Sequence, residues 1–244
     1  MHQTRVSLVI PVFNEEKNLP ILFDEIKAAM DPAGLGWEVV FIDDGSADQS
    51  LEIIRALAEN DHRVRYAAFE QNRGQSAAFE AGFKEARGEI IVTMDSDLQN
   101  DPSDVPQMLE AYESRGADMV AGRRANRKDT FSKRVGSRVG NAVRNWFTRD
   151  GISDTGCSLK AMNADMAKRL PMFTGMHRFL PALMLMQGAR IIEMDVNHRA
   201  RGYGKSNYTN WRRGIAGLYD CIAVRWMAGR RFEYKIKERG GGES

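Results

Sequence analysis

The first 124 residues alternate two hydrophobic periods, and this alternation limits the possible folds more than any other feature. Short apolar runs at 6–12, 38–42 (EVVFI), 65–69, 89–94 (EIIVTM) and 118–122 are bounded by polar residues. Runs of that length and type read as buried strands. Between them the apolar spacing is helical: in 17–29 it falls on Leu19, Leu22, Phe23 and Ile26. Segments 49–59, 75–86 and 102–115 continue the rhythm. Repeated βαβ units predict an α/β fold, an open and mostly parallel sheet flanked by helices. Ligands of such sheets bind beyond the carboxyl ends of the strands. Three polar clusters fall at those ends: Phe13-Asn14-Glu15, Asp43-Asp44-Gly45-Ser46 and Asp95-Ser96-Asp97.

The second half is less regular. Segment 131–147 reads as a helix with apolar Phe131, Val135, Val139, Val143 and Trp146, interleaved with Lys133, Arg134, Arg138 and Arg144. A loop running into a strand (SDTGCSLKAM, 153–162), helices at 163–170 and 178–186, a strand at 190–197 and a Gly-rich basic loop at 198–210 follow. The last helix, 211–232, carries one apolar stripe of Ile215, Leu218, Tyr219, Ile222 and Trp226, flanked by Arg212, Arg213, Arg225, Arg230 and Arg231. That pattern fits a helix packed on the core with a solvated basic face, or a helix lying in a membrane interface. The expected organisation is a domain over 1–210, divided near 124, then the amphipathic helix 211–232 and a polar tail, 233–244.

Charge separates the halves. Residues 1–122 hold 10 Lys and Arg against 23 Asp and Glu, a net of −13. Residues 123–244 hold 25 against 10, a net of +15, so the overall +2 conceals two opposite surfaces. Cys157 and Cys221 lie far apart, with neither metal-ligand spacing nor a disulfide framework, which points to a reducing compartment. The N-terminal apolar run reads as a strand and not as a signal peptide. The best candidate span, 215–229, contains Asp220 and Arg225 and falls short of the roughly 20 apolar residues a bilayer requires. The reading is therefore a soluble chain or one on a membrane surface.

Two carboxylates two residues apart after a buried strand, Asp95 and Asp97, can converge on a hard divalent cation, Mg²⁺ or Mn²⁺. Gln99 could add an amide oxygen; a solvated turn is the plainer alternative. Asp43-Asp44-Gly45-Ser46 is either a turn with a helix cap or a turn whose carboxylate accepts a base N–H. Phe13 could pack beside a planar base, with Asn14 or Glu15 on the base or ribose; a helix start explains the same residues.

Taken in order, PVFNEE, DDGSADQS, QNRGQSAAFEAGF and MDSDLQNDP resemble the inverting family 2 glycosyltransferases of GT-A fold, over about residues 4–124. Gly122-Arg123-Arg124, SDTGCSLKAM, HRFLPAL and VNHRARGYGKSNY extend the resemblance to about Arg231. They narrow it to the polyprenyl-phosphate sugar transferases, the relatives of dolichol-phosphate mannose synthase and of the bacterial undecaprenyl-phosphate enzymes. The resemblance implies base-binding positions at Pro11, Phe13, Glu15, Ile42 and Asp44. It implies metal and diphosphate positions at Asp95, Ser96 and Asp97, with Gln99 a further metal ligand. It places phosphate-binding cations at Arg124 and Arg201. The loop departs from the family pattern at position 207, Asn where Lys is common, and Lys205 could supply that charge. Asp154 could position the acceptor-side loop or be a structural carboxylate; His198 could sit near the sugar, though it and His177 read better as structural histidines.

These parts suit transfer of a sugar from a UDP- or GDP-linked donor to a polyprenyl phosphate at the cytoplasmic membrane face. The leaving diphosphate needs cations, and an ionised phosphate acceptor needs no strong base. Under this reading the amphipathic helix lies on the membrane, where a membrane protein or a second copy of the chain could join it. A saccharide or protein hydroxyl acceptor is the alternative and would require a carboxylate base. A nucleic-acid partner for the basic half is disfavoured by the acidic first half and the Asp-x-Asp motif.

Overall fold

The computed structural model describes residues 3–124, 131–200 and 210–230, together with Glu238. The first half folds as four parallel strands with helices between them. β1 (Val6–Val12), β2 (Trp37–Asp43), β3 (Val64–Ala68) and β4 (Ile90–Thr93) alternate with α1 (Leu19–Met30), α2 (Ser50–Asn60) and α3 (Gln75–Glu85). α4 (Val105–Ser114) leads to β5 (Met119–Arg124), and α5 (Phe131–Thr148) follows. β6 (Lys160–Asn163), α6 (Ala164–Lys168), α7 (Leu180–Met186), β7 (Ile191–Val196) and α8 (Asn210–Arg230) complete the chain.

One seven-stranded sheet results, in the order β3-β2-β1-β4-β6-β5-β7. β6 alone runs antiparallel, to both β4 and β5, and every other pair is parallel. β1, β2 and β4 are buried along their whole length because both faces of the sheet are covered there, whereas the edge strand β3 is partly exposed. Alternate residues of β1 serve opposite cores. Leu8 and Ile10 pack with α1 and α4 residues such as Leu22, Ile26 and Met108. Val9 packs with Phe79 and Phe83 of α3 and with residues of α6, α7 and α8.

Gly82 of α3 lies directly against β1, where an added Cβ would stand 2.2 Å from Val9 Cγ1. Replacing a mid-helix Gly by Ala ordinarily gains about 1 kcal/mol. Here Val9 is fully buried and β-branched, so it cannot swing away. Gly82→Ala is expected to destabilise by about 1–2 kcal/mol, overpacking outweighing propensity. Thermal unfolding would register this as a Tm lower by roughly 2–8 °C.

α8 packs on α5 and α7, burying Cys221 and Val224. Its predicted apolar stripe points elsewhere: Leu218, Tyr219, Ile222 and Trp226 are exposed, Tyr219 at 71% and Trp226 at 64%. Trp146 of α5 is 73% exposed, and Val143, three residues before it, is exposed too. Arg144, one of the cations interleaved with the apolar positions of α5, is buried. Its Nη2 pairs with the buried Asp150 (3.5 Å) and donates to the Ile152 carbonyl, while Nε and Nη1 are buried without a hydrogen-bond partner among the described residues, so the guanidinium is only partly satisfied.

Candidate active site

β1 lies between β2 and β4, so the chain leaves it toward both edges of the sheet and opens a crevice at the carboxyl ends. The loop after β1 and the loop after β2 brace each other. Asn14 adopts a left-handed φ of 57°, which Asn tolerates better than most residues. Its N–H donates to Ser46 Oγ (3.0 Å) and its side-chain oxygen accepts from Ala47 N (2.8 Å). The Glu15 amide donates to Ser50 Oγ (2.8 Å), and its carboxylate accepts from Asn18 Nδ2. Phe13 is half-buried, whereas the Ile42 side chain is inside the core.

Asp44 is buried and already engaged. Its carboxylate accepts from Arg73 N (2.6 Å), Gly74 N (2.8 Å) and Asn72 Nδ2 (3.0 Å). Burial pushes its pKa up; the two backbone N–H groups pull it down, and neighbouring Asp43 pushes it up again. In this structure Asp44 shapes the 72–74 loop, so any base contact at this position would have to share those bonds.

The acidic turn after β4 is held from several sides. Asp95 N donates to Asn100 Oδ1 (3.1 Å), and the Asp95 carboxylate accepts from Gln75 Nε2 (2.7 Å) at the start of α3. Ser96 Oγ donates to the Pro11 carbonyl (3.0 Å), tying the turn to the end of β1. Asp97 Oδ1 accepts from Gln99 N (3.1 Å) across Leu98, whose φ is 63°. A leucine in that region is strained, and such strain persists where surrounding structure imposes it. Among the described residues no group of three or more His, Cys, Asp or Glu forms a metal cage. Asp95, Asp97 and Gln99 offer only oxygen donors, with two carboxylates. That set fits Mg²⁺ or Mn²⁺, which one or two carboxylates hold together with substrate phosphates.

Cations stand on the other side, where the antiparallel β6 brings the second half of the chain against β4. Arg124 ends β5 and is gripped by Asp154: Nε to Oδ2 and Nη2 to Oδ1 are both 2.7 Å, and Arg124 N also donates to Oδ2 (3.2 Å). Lys160 is fully buried on β6 and donates to the Cys157 carbonyl. Burial pushes its pKa down, while Cys157, Asp95 and Asp154 act in the opposite direction. Burial also raises the Cys157 thiol, which suits packing and not reactivity.

Arg201 and Lys205 lie outside the described residues, but the root of their loop does not. Arg199 N donates to the Gln99 carbonyl (2.9 Å), and its guanidinium donates to the Asn100 carbonyl (2.8 Å) and forks onto Glu25 (2.9 and 2.6 Å). The basic loop therefore starts at the acidic turn. His177 Nδ1 bonds Ser76 Oγ (2.8 Å), in keeping with a structural histidine. Sequence reasoning missed Gln75, Asn100, Lys160 and Arg199. Only their position inside or beside the motifs signalled them: Gln75, Asn100 and Arg199 also reach partners 20, 58 and 99 residues away, and Lys160 is set by the pairing of β6 with β4.

An open α/β sheet with an Asp-x-Asp turn at its switch point is the architecture of the GT-A fold. The chain belongs to glycosyl transferase family 2, whose description matches residues 7–170. Dodecaprenyl-phosphate galacturonate synthase of Rhizobium johnstonii is 40% identical over 207 residues, 83% of this chain and 61% of that protein. An undecaprenyl-phosphate 4-deoxy-4-formamido-L-arabinose transferase of Pectobacterium carotovorum is 35% identical over 218 residues, 89% of this chain and 66% of that protein. The chain thus spans somewhat less than two thirds of the length of these relatives.

Among solved structures, glucosyl-3-phosphoglycerate synthase of Mycobacterium tuberculosis, with Mn²⁺, UDP and glucosyl-3-phosphoglycerate, shares the fold at TM-score 0.67 and 20% identity. The match covers 92% of this chain and 80% of that one. A mannosyltransferase of Pyrobaculum calidifontis, with GDP-Man and Mn²⁺, does so at TM-score 0.66 and 21% identity, over 96% and 67%.

Proposed function

We propose that this chain transfers a sugar from a UDP- or GDP-linked donor to a polyprenyl phosphate at the inner face of the cell membrane, with inversion at the anomeric carbon. The observation that carries the reading is an acidic turn at the end of β4 with Arg124 at the carboxyl end of β5, β6 lying between the two strands. In this reading the Asp95 and Asp97 turn after β4 is the donor side and Arg124, at the end of β5, the acceptor side, while Arg199 donates to the Gln99 carbonyl of that turn. The two polyprenyl-phosphate relatives, similar over most of the chain, support the same acceptor class.

In this reading a phosphate oxygen of the acceptor forms the new bond to the anomeric carbon. The bond to the donor diphosphate breaks, and the nucleoside diphosphate leaves. The acceptor is already ionised near neutral pH, so the chain needs to hold it and not deprotonate it. Arg124 is suited to that task as a planar fork that matches a phosphate, oriented by Asp154. Asp95 and Asp97, with Gln99, would hold a Mg²⁺ or Mn²⁺ ion, which when bound supplies positive charge to the leaving diphosphate. Arg201 and Lys205 are proposed as further cations for the diphosphate. Incubation of the purified chain with labelled nucleotide-sugars, Mg²⁺ or Mn²⁺ and undecaprenyl phosphate should yield a lipid-linked sugar. No such product from any common donor would overturn the reading.

The lipid acceptor needs a membrane, and no helix among the described residues is long and apolar enough to cross one. The exposed Leu218, Tyr219, Ile222 and Trp226 of α8, with Arg225 and Arg230 exposed on the same helix, make it the contact surface in this proposal. Aromatic rings favour the headgroup region and arginines favour anionic lipids. Replacing Tyr219 and Trp226 together by Ser should weaken sedimentation with phosphatidylglycerol vesicles by about tenfold or more, from the apolar area withdrawn. Unchanged sedimentation would exclude this face.

A further inference from the structure

Asn100 is 3% exposed and touches three loops at once. Its side-chain oxygen accepts from Asp95 N (3.1 Å) on the acidic turn. The same oxygen accepts from Ser158 Oγ (2.7 Å) in the loop that runs from Asp154 to β6. Its backbone pairs with His198, and its carbonyl accepts from Arg199 Nη2 (2.8 Å) at the root of the basic loop. These elements come from three separate parts of the chain and converge on one buried residue. A buried amide oxygen that serves two donors is costly to remove, because both lose their partner together.

We propose that Asn100 is a positioning residue that couples the donor-side acidic turn to the acceptor-side loop, so that a change at Ser158 is felt at Asp95. The roles of the two sides rest on the function proposed above. The link itself is a property of the hydrogen bonds. Ser158 suits the test because its own backbone is held independently: Thr93 Oγ1 donates to the Ser158 carbonyl (2.6 Å). Ser158→Ala therefore removes the side-chain link and leaves the loop anchored.

The experiment is a double-mutant cycle read by calorimetric binding of UDP, and of GDP in parallel, each with Mn²⁺, with Tm as the folding control. Asn100→Ala should weaken Mn²⁺-dependent nucleotide binding about tenfold, and Ser158→Ala about threefold, the scale of one lost buried hydrogen bond. The double variant should bind no more weakly than Asn100→Ala alone, since the Ser158 effect passes through Asn100. Asn100→Asp keeps an oxygen for both donors and should bind within about threefold of the parent.

Should Asn100→Ala not fold, the single Ser158→Ala and Asn100→Asp measurements carry the decision. A silent Ser158→Ala, effects that multiply in the double variant, or an Asn100→Asp as weak as Asn100→Ala would each overturn the coupling. Absence of transfer to polyprenyl phosphate by the unaltered chain would count against the function reading and leave this binding cycle decisive for Asn100.

Discussion

Asp97→Asn should lower kcat by roughly 10³-fold while leaving the fold intact. The substitution keeps shape and keeps a side-chain oxygen to accept the Gln99 amide, which now spans the left-handed Leu98 at 3.1 Å. Alanine would confound the result by releasing that strained turn. What Asn removes is the charge. A single amide oxygen is a much poorer partner for Mg²⁺ or Mn²⁺, and several kcal/mol of charge stabilisation at the leaving diphosphate depend on that cation. At 1.36 kcal/mol per tenfold, that range covers about three orders of magnitude. Two readouts separate this from a folding defect: Tm without ligand should stay near the parent value, and the Mn²⁺-dependent rise in Tm with nucleotide should vanish. Full activity in Asp97→Asn would remove the acidic turn from the chemistry.

Such a prediction was accessible because some signals are local. Asp95 and Asp97 follow an apolar run, and a strand that ends in carboxylates in a βαβ series lies at the binding edge whatever the details. The sheet class, the strand ends and the amphipathic character of α8 were legible for the same reason. Contacts between distant segments were not. Gln75 reaches Asp95 over 20 residues, Arg199 reaches Asn100 over 99, and Asn72 closes on Asp44 over 28. No periodicity records such pairs, because each is decided by which strands become neighbours. The antiparallel insertion of β6 between β4 and β5 is the main case. It brings Lys160 opposite Thr93 and lays the residues after Asp154 beside the acidic turn, and a four-residue strand carries little sign of its direction. The burial of Arg144 was illegible for a related reason. Its basic side chain fits a solvated helical face by pattern, but the buried Asp150 and the Ile152 carbonyl, six and eight residues away, draw it inward.

Arg124→Ala should lower kcat/KM for the lipid acceptor by about 10²–10³-fold, the range seen when a preorganised donor is removed from a low-dielectric site. Lysine should not rescue it, since the Asp154 grip uses both Nε and Nη2, and an ammonium cannot reproduce that fork. The packing is equally selective: a Cβ added at Gly156 would lie 2.8 Å from Arg124 Nη2, so the 154–157 turn is shaped around a guanidinium. Asp154 is the informative partner. Arg124 and Asp154 are both largely shielded from solvent, with side chains 15% and 11% exposed, so the pair is more than a screened surface contact. If Asp154 acts by orienting Arg124, Asp154→Asn should cost less than Arg124→Ala, about tenfold, and the double variant should be no worse than Arg124→Ala alone. A hydroxyl acceptor makes a different demand. Asp154 would then be a candidate base with a task of its own, its loss would multiply with the loss of Arg124, and the pH profile of kcat/KM would lose its acidic limb in Asp154→Asn. Measured with undecaprenyl phosphate, a non-additive cycle assigns Asp154 to Arg124 and supports a phosphate nucleophile. A multiplicative cycle with an altered pH profile would transfer the reaction to a hydroxyl.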